Sequence, residues 1–312
     1  MKVILFSHES DIDGMGEVVL SKLVFEDLEY ILCKNVADLN RKIIEEYNSG
    51  KLYNADIIYI TDLSLDEKEA SIIFEDEALK GKVYLFDHHK TAYESGLTKY
   101  PTVNVRVEDE KGLSCATQIF YEYLIKENLI KQSKKTDEFV ELVRREDTYE
   151  WKKYGDQKAH DLSILFNALG YEMYISKMYE KLKNSEIEEF DFTEDELNAI
   201  EKKKKETEEK VKSFIKDLKI IDIDGIKVGV CFIGYEYRNA VADYIIDTKV
   251  YDIDTVAMIA LENNQISFRC IHGGNYARIV AEKFGGGGHD KAAATPITKE
   301  IKNEIINLIF KK

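Results

Sequence analysis

The sequence predicts an α/β protein with a doubly wound, mainly parallel sheet in its first half, a helical linker, and a smaller α/β module at its end. Between residues 2 and 107 short apolar runs alternate with amphipathic stretches, the pattern of βαβ units whose strands are covered on both faces. After a helix-rich middle, strand-like alternation resumes at Ile220. The chain has 312 residues, 44% of them hydrophobic, enough to fill one large core or two ordinary ones.

The predicted strands of the first half are Val3 to Phe6, Tyr30 to Cys33, Ile57 to Ile60, Val83 to Phe86 and Val103 to Val105. Helical patterns fill the gaps at Met15 to Phe25, Val36 to Tyr47, Asp66 to Leu79 and Cys115 to Ile130. From Lys131 to Leu218 helix dominates. The run Glu201 to Glu206 reads as part of a solvated linking helix, because its four lysines have acidic neighbours and widely spaced apolar residues. The second module alternates strands at Ile220 to Ile223, Lys227 to Ile233, Thr255 to Leu261 and Gln265 to Ile271 with helices at Asn239 to Asp247, Asn275 to Phe284 and Lys299 to Phe310. A further small-residue helix is expected after the glycines at 285–288. The domains predicted are 1–190, a linker helix 191–218, and 219–312.

Composition excludes several function classes. The four cysteines stand far apart with no CxxC pair, which argues against a zinc ribbon or a disulfide framework and for reduced thiols in a cytoplasm. The apolar run at the N-terminus is too short for a signal peptide, and no stretch approaches the ~18 residues that cross a bilayer. A soluble protein with no membrane partner is expected. The formal net charge of −15 repels a long phosphate backbone, so any nucleic-acid substrate is expected to be short.

The chemistry concentrates after predicted strands. Ser7 to Gly14 places His8, Asp11 and Asp13 in the first strand-to-helix turn, at the carboxyl edge where open α/β sheets bind ligands. Taken alone, that turn reads equally well as a helix entry rich in capping residues. Asp62 follows the third strand, and Asp87, His88 and His89 follow the fourth. Carboxylates gathered in one cleft repel one another unless counter-charges are found. Bound divalent cations supply those charges most simply. Mixed carboxylate and imidazole donors without thiolate suit manganese better than structural zinc, and a bridging carboxylate would hold two ions ~3.5–4 Å apart. Phe139, Val143 and Asp147 recur at spacing four on one helical face, so Asp147 continues an apolar stripe where a lone acid is costly to bury. The alternative is that the helix ends near Arg145 and Asp147 caps the next turn.

The set His8, Asp11, Asp13, Gly14, Asp62, Asp87-His88-His89 and Asp147 resembles the four successive motifs of the DHH phosphoesterases, over nearly the whole chain. Gly285 to His289, followed by Ala292 to Ala294, resembles the signature of the DHHA1 domain that accompanies one branch of that family. The resemblance implies one ion on His8, Asp11 and Asp62 and a second on Asp13, Asp62, His88 and Asp147. It implies a substrate-facing His89 oriented by Asp87, and a phosphate grip from Arg269, Gly286, Gly287, Gly288 and His289. The four glycines are expected to offer backbone N–H groups as an anion nest. Arg278, Lys90 and Arg106 are weaker candidates for the same task.

The implied activity is metal-dependent hydrolysis of a phosphodiester in a short oligonucleotide or linear dinucleotide, releasing mononucleotides. The cofactors implied are two divalent cations, manganese first, magnesium or cobalt as alternatives. A monomer or homodimer is expected. A phosphatase for nucleotide bisphosphates and a RecJ-like single-strand exonuclease are the enzymatic rivals, although the latter needs a long basic groove that this acidic chain lacks. A nucleotide sensor is the non-catalytic rival. Against it, every expected ligand position is filled.

Overall fold

Each of the five apolar runs of the first half forms a strand bounded by polar turns, and the three central ones are buried on both faces. The structure, a computed structural model, describes residues 1–310. Strands β1 (Lys2–His8), β2 (Asp27–Cys33), β3 (Ile57–Thr61), β4 (Val83–Asp87) and β5 (Val103–Val105) make a wholly parallel sheet in the order β2-β1-β3-β4-β5. The strand order reverses between β1 and β3. That switch point is where a crevice opens at the carboxyl ends of the strands.

Alternation sorts the side chains onto two faces. Val3 and Leu5 of β1 pack with Tyr59 and Phe86 against helices α1 (Ile12–Val24), α5 (Ala116–Lys126), α6 (Lys134–Asp147), α8 (Gln157–Leu169) and α9 (Tyr171–Lys183). Ile4 and Phe6 pack with Ile58, Ile60 and Leu85 against α2 (Val36–Asn48) and α3 (Glu67–Phe74). Short helices α4 (Lys90–Glu94) and α7 (Glu150–Tyr154) and the hairpin β6 (Glu108–Asp109) with β7 (Gly112–Leu113) complete the unit. The sequence reading extends α3 to Leu79, but the helix stops at Phe74. The sequence gives no sign of the hairpin, since two-residue strands leave no periodicity.

Two compact units are present, Met1–Lys203 and a second that begins at Lys204. The division falls inside α10 (Glu194–Ile215). Ile200 joins the core of the first unit, whereas Val211 and Ile215 join that of the second.

The second unit has a mixed six-stranded sheet in the order β12-β13-β11-β10-β9-β8. Its strands are β8 (Lys219–Ile223), β9 (Ile226–Phe232), β10 (Thr255–Ala260), β11 (Gln265–Cys270), β12 (Gly287–Gly288) and β13 (Ala292–Pro296), with helices α11 (Arg238–Thr248), α12 (Tyr276–Lys283) and α13 (Lys299–Phe310). Only β9 and β10 pair in parallel, joined through α11. The alanines 292–294 are a strand, which corrects the expected helix. Ala293 and Thr295 bury one face of β13, and its ladder with β11 decides the conformation over alanine's helix propensity.

All four cysteines are buried and unpaired. No helix of the described residues is long and apolar enough to cross a membrane.

Candidate active site

Three neighbouring strand ends of the first unit deliver the predicted acids and imidazoles to one place. β1 ends on His8, and the chain turns at once into α1, with Asp11 as its N-cap accepting from the Gly14 amide at 3.1 Å. A side chain at Gly14 would collide with the His8 carbonyl, so only glycine permits a turn this tight. Asp62 leaves β3 with φ of 57°, a left-handed conformation that a non-glycine residue adopts only when its surroundings enforce it. Its amide donates to the Phe86 carbonyl at 3.0 Å, which fixes the turn. Asp147 is the last residue of α6, so the helix does not stop at Arg145. Buried Arg144 holds that helix end through Glu141 and Glu150 at 2.8 Å and the Leu113 carbonyl at 2.9 Å.

The ligand atoms fall into sets that share one carboxylate. His8 Nδ1 lies 2.7 Å from Asp11 Oδ2 and 3.3 Å from Asp62 Oδ2. His88 Nε2 lies 3.3 Å from Asp62 Oδ1, 3.5 Å from Asp147 Oδ2 and 3.7 Å from Asp13 Oδ2. Each oxygen of Asp62 therefore faces a different imidazole. Both His8, Asp11 and Asp62 and, separately, Asp13, His88 and Asp147 converge closely enough to hold a cation; Asp62, Asp87, His88 and His89 form a third such group.

Charge accumulates here, and the imidazoles and carboxylates shift one another. Burial alone would lower the His8 pKa, but hydrogen bonds to Asp11 and Asp62 outweigh it and raise it to about 11. His88 is likewise pushed up to about 10, against its burial, by Asp62 and by the charges of Asp147 and Asp13. Burial and the neighbouring Asp62 raise Asp13 to about 6, and burial with Asp13 raises Asp147 well above the ordinary carboxylate range. Asp62 goes the other way: burial opposes ionisation, yet its two histidines hold it well below that range. His88 Nε2 and Asp147 Oδ2 are buried without a hydrogen-bond partner among the described residues. Orphaned donor atoms of this kind, in a set of imidazoles and carboxylates without thiolate, fit hard to borderline divalent cations.

Asp87, although close to Asp62, has both oxygens engaged by neighbouring groups. Its Oδ1 accepts from the amides of His88 and His89 at 2.7 and 3.0 Å and pairs with His89 Nδ1 at 2.8 Å, while Oδ2 accepts from Ser64 Oγ. This contact fixes the His89 ring with Nε2 directed elsewhere, as an orienting carboxylate does. The hydrogen bond to Asp87 also raises the His89 pKa, and the side chain is half exposed.

Several supporting groups escaped the sequence reading. The amides of Ala116 and Thr117, at the N-terminus of α5, donate to both Asp13 oxygens at 2.8 Å, and Thr117 Oγ1 donates to the Asp13 carbonyl. The positive end of a helix thus braces a fully buried acid more than a hundred residues away in sequence. Glu17, also fully buried, accepts from Ser7 Oγ at 2.8 Å, and burial with the charge of Asp13 pushes its pKa well up. Tyr149 sits two residues after Asp147 with φ of 61°. Only the helix-start pattern at Cys115 was legible in advance, and it does not reveal what the helix end contacts.

In the second unit Arg269 projects from β11 into a cavity of about 230 Å³ that Gly287 and Gly288 also line. Gly286 and His289 are not part of that lining. The glycine run is not an open nest: the amides of Gly285, Gly286 and His289 donate to the carbonyls of Glu282, Ala281 and Ala292. What requires glycine is strand approach, since side chains at Gly286 or Gly288 would collide with the backbone of β13. Arg106 is engaged by Ser114 and Glu122, Arg278 by Asp290, and Lys90 by Glu94.

No family model matches the chain. It is 31% identical over 302 residues to oligoribonuclease NrnB of Bacillus subtilis, covering 95% of this chain and 73% of that protein. Among solved structures it is similar to the DHH domain of a member of the s1p family of ribosomal proteins, with a TM-score of 0.62, 14% identity, and coverage of 99% and 86% of the two chains. It is also similar to the pGpG-specific phosphodiesterase PggH of Vibrio cholerae, with a TM-score of 0.53, 15% identity, and coverage of 99% and 97%.

Proposed function

Because this chain belongs to the DHH/DHHA1 phosphoesterases, with NrnB as a relative, and is a hydrolase of phosphodiester bonds in nucleic acids, we propose that it cleaves short oligonucleotides and linear dinucleotides to mononucleotides in the cytoplasm. The observation that carries the reading is the placement of Asp62, one oxygen 3.3 Å from His8 and the other 3.3 Å from His88. A carboxylate presented to two donor sets is what a two-cation phosphoesterase needs.

In this reading His8, Asp11 and Asp62 hold one cation, and Asp13, Asp62, His88 and Asp147 hold another. Manganese fits the donors best, with magnesium and cobalt as alternatives. Such ions, when bound, acidify water and neutralise phosphoryl oxygens. The chain supplies the rest. The strand ends fix the ligands, so no reorganisation is needed as charge develops. The α5 amides favour the charged form of Asp13 against its burial. Asp87 holds Nδ1 of His89, leaving Nε2 to donate to a phosphoryl oxygen. In the second unit Arg269, with Gly287 and Gly288 beside it, holds a substrate phosphate; Gly286 and His289 shape the β12 turn behind that grip. A guanidinium suits the task because its fork matches two phosphate oxygens at once.

The substrate is short in this reading for two reasons. NrnB is an oligoribonuclease and PggH acts on pGpG, and a chain of net charge −15 opposes a long polyanion. The test is a manganese-supplemented digest of a labelled ladder of about two to ten nucleotides beside cyclic dinucleotides, with inorganic phosphate followed in parallel. Rapid loss of the shortest rungs with mononucleotide release supports the proposal. Preference for the longest rungs, or phosphate release from a nucleotide bisphosphate alone, rejects it.

A further inference from the structure

We propose that the cavity of the second unit seats a nucleobase as well as a phosphate, with the Arg238 guanidinium and the Tyr235 ring as its stacking face. The inference rests on the oligonucleotide reading above and deepens it, by giving the site a preference for a nucleoside over a bare sugar phosphate.

The cavity follows from register. Period-two alternation puts Gln265, Ser267 and Arg269 on one face of β11, and all three line it. Across from Ser267 and Arg269, β13 places Ala294 and Ala292, and the β13 residues that line the cavity are all alanines, while Gln265 pairs with Pro296. Those small walls leave a flat slot. The lining carries two guanidinium groups, Arg238 and Arg269, and no carboxylate, in a chain whose net charge is −15. Selection for an anionic occupant is the direct reading of that contrast.

The two arginines are held differently. Arg269 donates through Nη1 to the Phe268 carbonyl at 3.0 Å and through Nη2 to Asn239 Oδ1 at 3.2 Å, so its fork is tied to both β11 and the first turn of α11. Arg238 lies over the Tyr235 ring, 4.2 Å from its centroid, and donates to the Tyr235 carbonyl at 3.2 Å. Its plane is therefore preset. Unpaired bases are recognised by stacking on aromatic rings and guanidinium planes while polar side chains bond their edges. Arg238 and Tyr235 supply the planes, Ser267 and Gln265 supply edge partners, and Arg269 remains for the phosphate.

The experiment is equilibrium binding of guanosine 5′-monophosphate and of ribose 5-phosphate to the full chain in manganese. The wild type is expected to bind the nucleotide roughly tenfold more tightly than the sugar phosphate, the scale of one stacked base. Tyr235→Leu and Arg238→Gln should each erase most of that preference, Tyr235→Phe should keep it, and Tyr235→Leu should leave ribose 5-phosphate affinity unchanged. Equal binding of the two probes by the wild type, or a parallel loss of both in Tyr235→Leu, overturns the inference. Dinucleotide hydrolysis separates the two levels. A wild type that cleaves dinucleotides but binds the two probes equally retains its proposed function and loses the stacking seat. A wild type that cleaves none loses the function, while the binding comparison still judges the cavity.

Discussion

The carboxyl edge of the first sheet and the cavity of the second unit are built by opposite means. At the first, side chains of like charge crowd together on rigid strand ends, and relief comes from two imidazoles and the α5 helix terminus. At the second, the walls are glycine and alanine, and the few charges are positive. In the proposed reading one place gathers cations and the other receives an anion. The difference teaches that local backbone geometry concentrates each site's charge: tight turns at Gly14 and Asp62 gather the acids and imidazoles, and close strand approach at Gly286 and Gly288 builds the wall beside the arginines.

The strongest way to break this contrast is Asp62→Asn. Turnover of a dinucleotide should fall by about three orders of magnitude, roughly 4 kcal/mol of transition-state stabilisation, while nucleotide binding by the second unit is retained. Initial rates at saturating manganese measure it; a loss of less than tenfold would mean that the shared carboxylate is dispensable.

Paired glycine substitutions sharpen the contrast. Gly14→Ala drives a methyl into the His8 carbonyl, and Gly286→Ala drives one into the β13 backbone. Each should cost about 3 kcal/mol, the first with loss of manganese binding and the second without it. Denaturant melts with a parallel metal titration distinguish the two.

Manganese itself should act on one unit. At a hundredfold excess over its dissociation constant it should stabilise the first unit by about 2.7 kcal/mol and leave the second unmoved, as read by calorimetry with and without chelator. The effect should grow with pH. In the metal-free chain His8 and His88 have raised pKa values, about 11 and about 10, so the stability they contribute is complete below about 6.5 and declines as pH rises toward those values. Metal ligation needs both rings neutral and so competes with their protons less as pH increases. A manganese shift that shrinks between pH 6 and 8 would contradict the assignment of these ligands.

The smallest predicted effect belongs to Asp87→Asn. If, as proposed, Asp87 acts through His89 and holds no cation, its loss should lower kcat roughly tenfold with manganese affinity preserved. A drop in metal affinity equal to the drop in rate would move Asp87 into the ligand set.

Much of the first site was legible because His8, Asp62 and Asp87 each terminate an apolar run, and a polar residue in that position stands out. Asp147 was legible only as an acid on an apolar helical stripe. The bracing of Asp13 by Ala116 and Thr117 was not, because backbone amides carry no sequence signal and the contact spans more than a hundred residues. The second site was read in part. The glycines and Arg269 stand out in the sequence, but alanine propensity favours a helix at 292–294, and the pairing of that segment with β11 is what creates the cavity beside Tyr235 and Arg238. Local propensity could not supply that register.

The most direct measurement of the central claim is anomalous diffraction at the manganese edge from crystals grown with the metal. Two peaks about 3.5–4 Å apart, one on each side of the Asp62 carboxylate, are the predicted result. No peak at Asp62, or ions bound only away from His8 and His88, would contradict it.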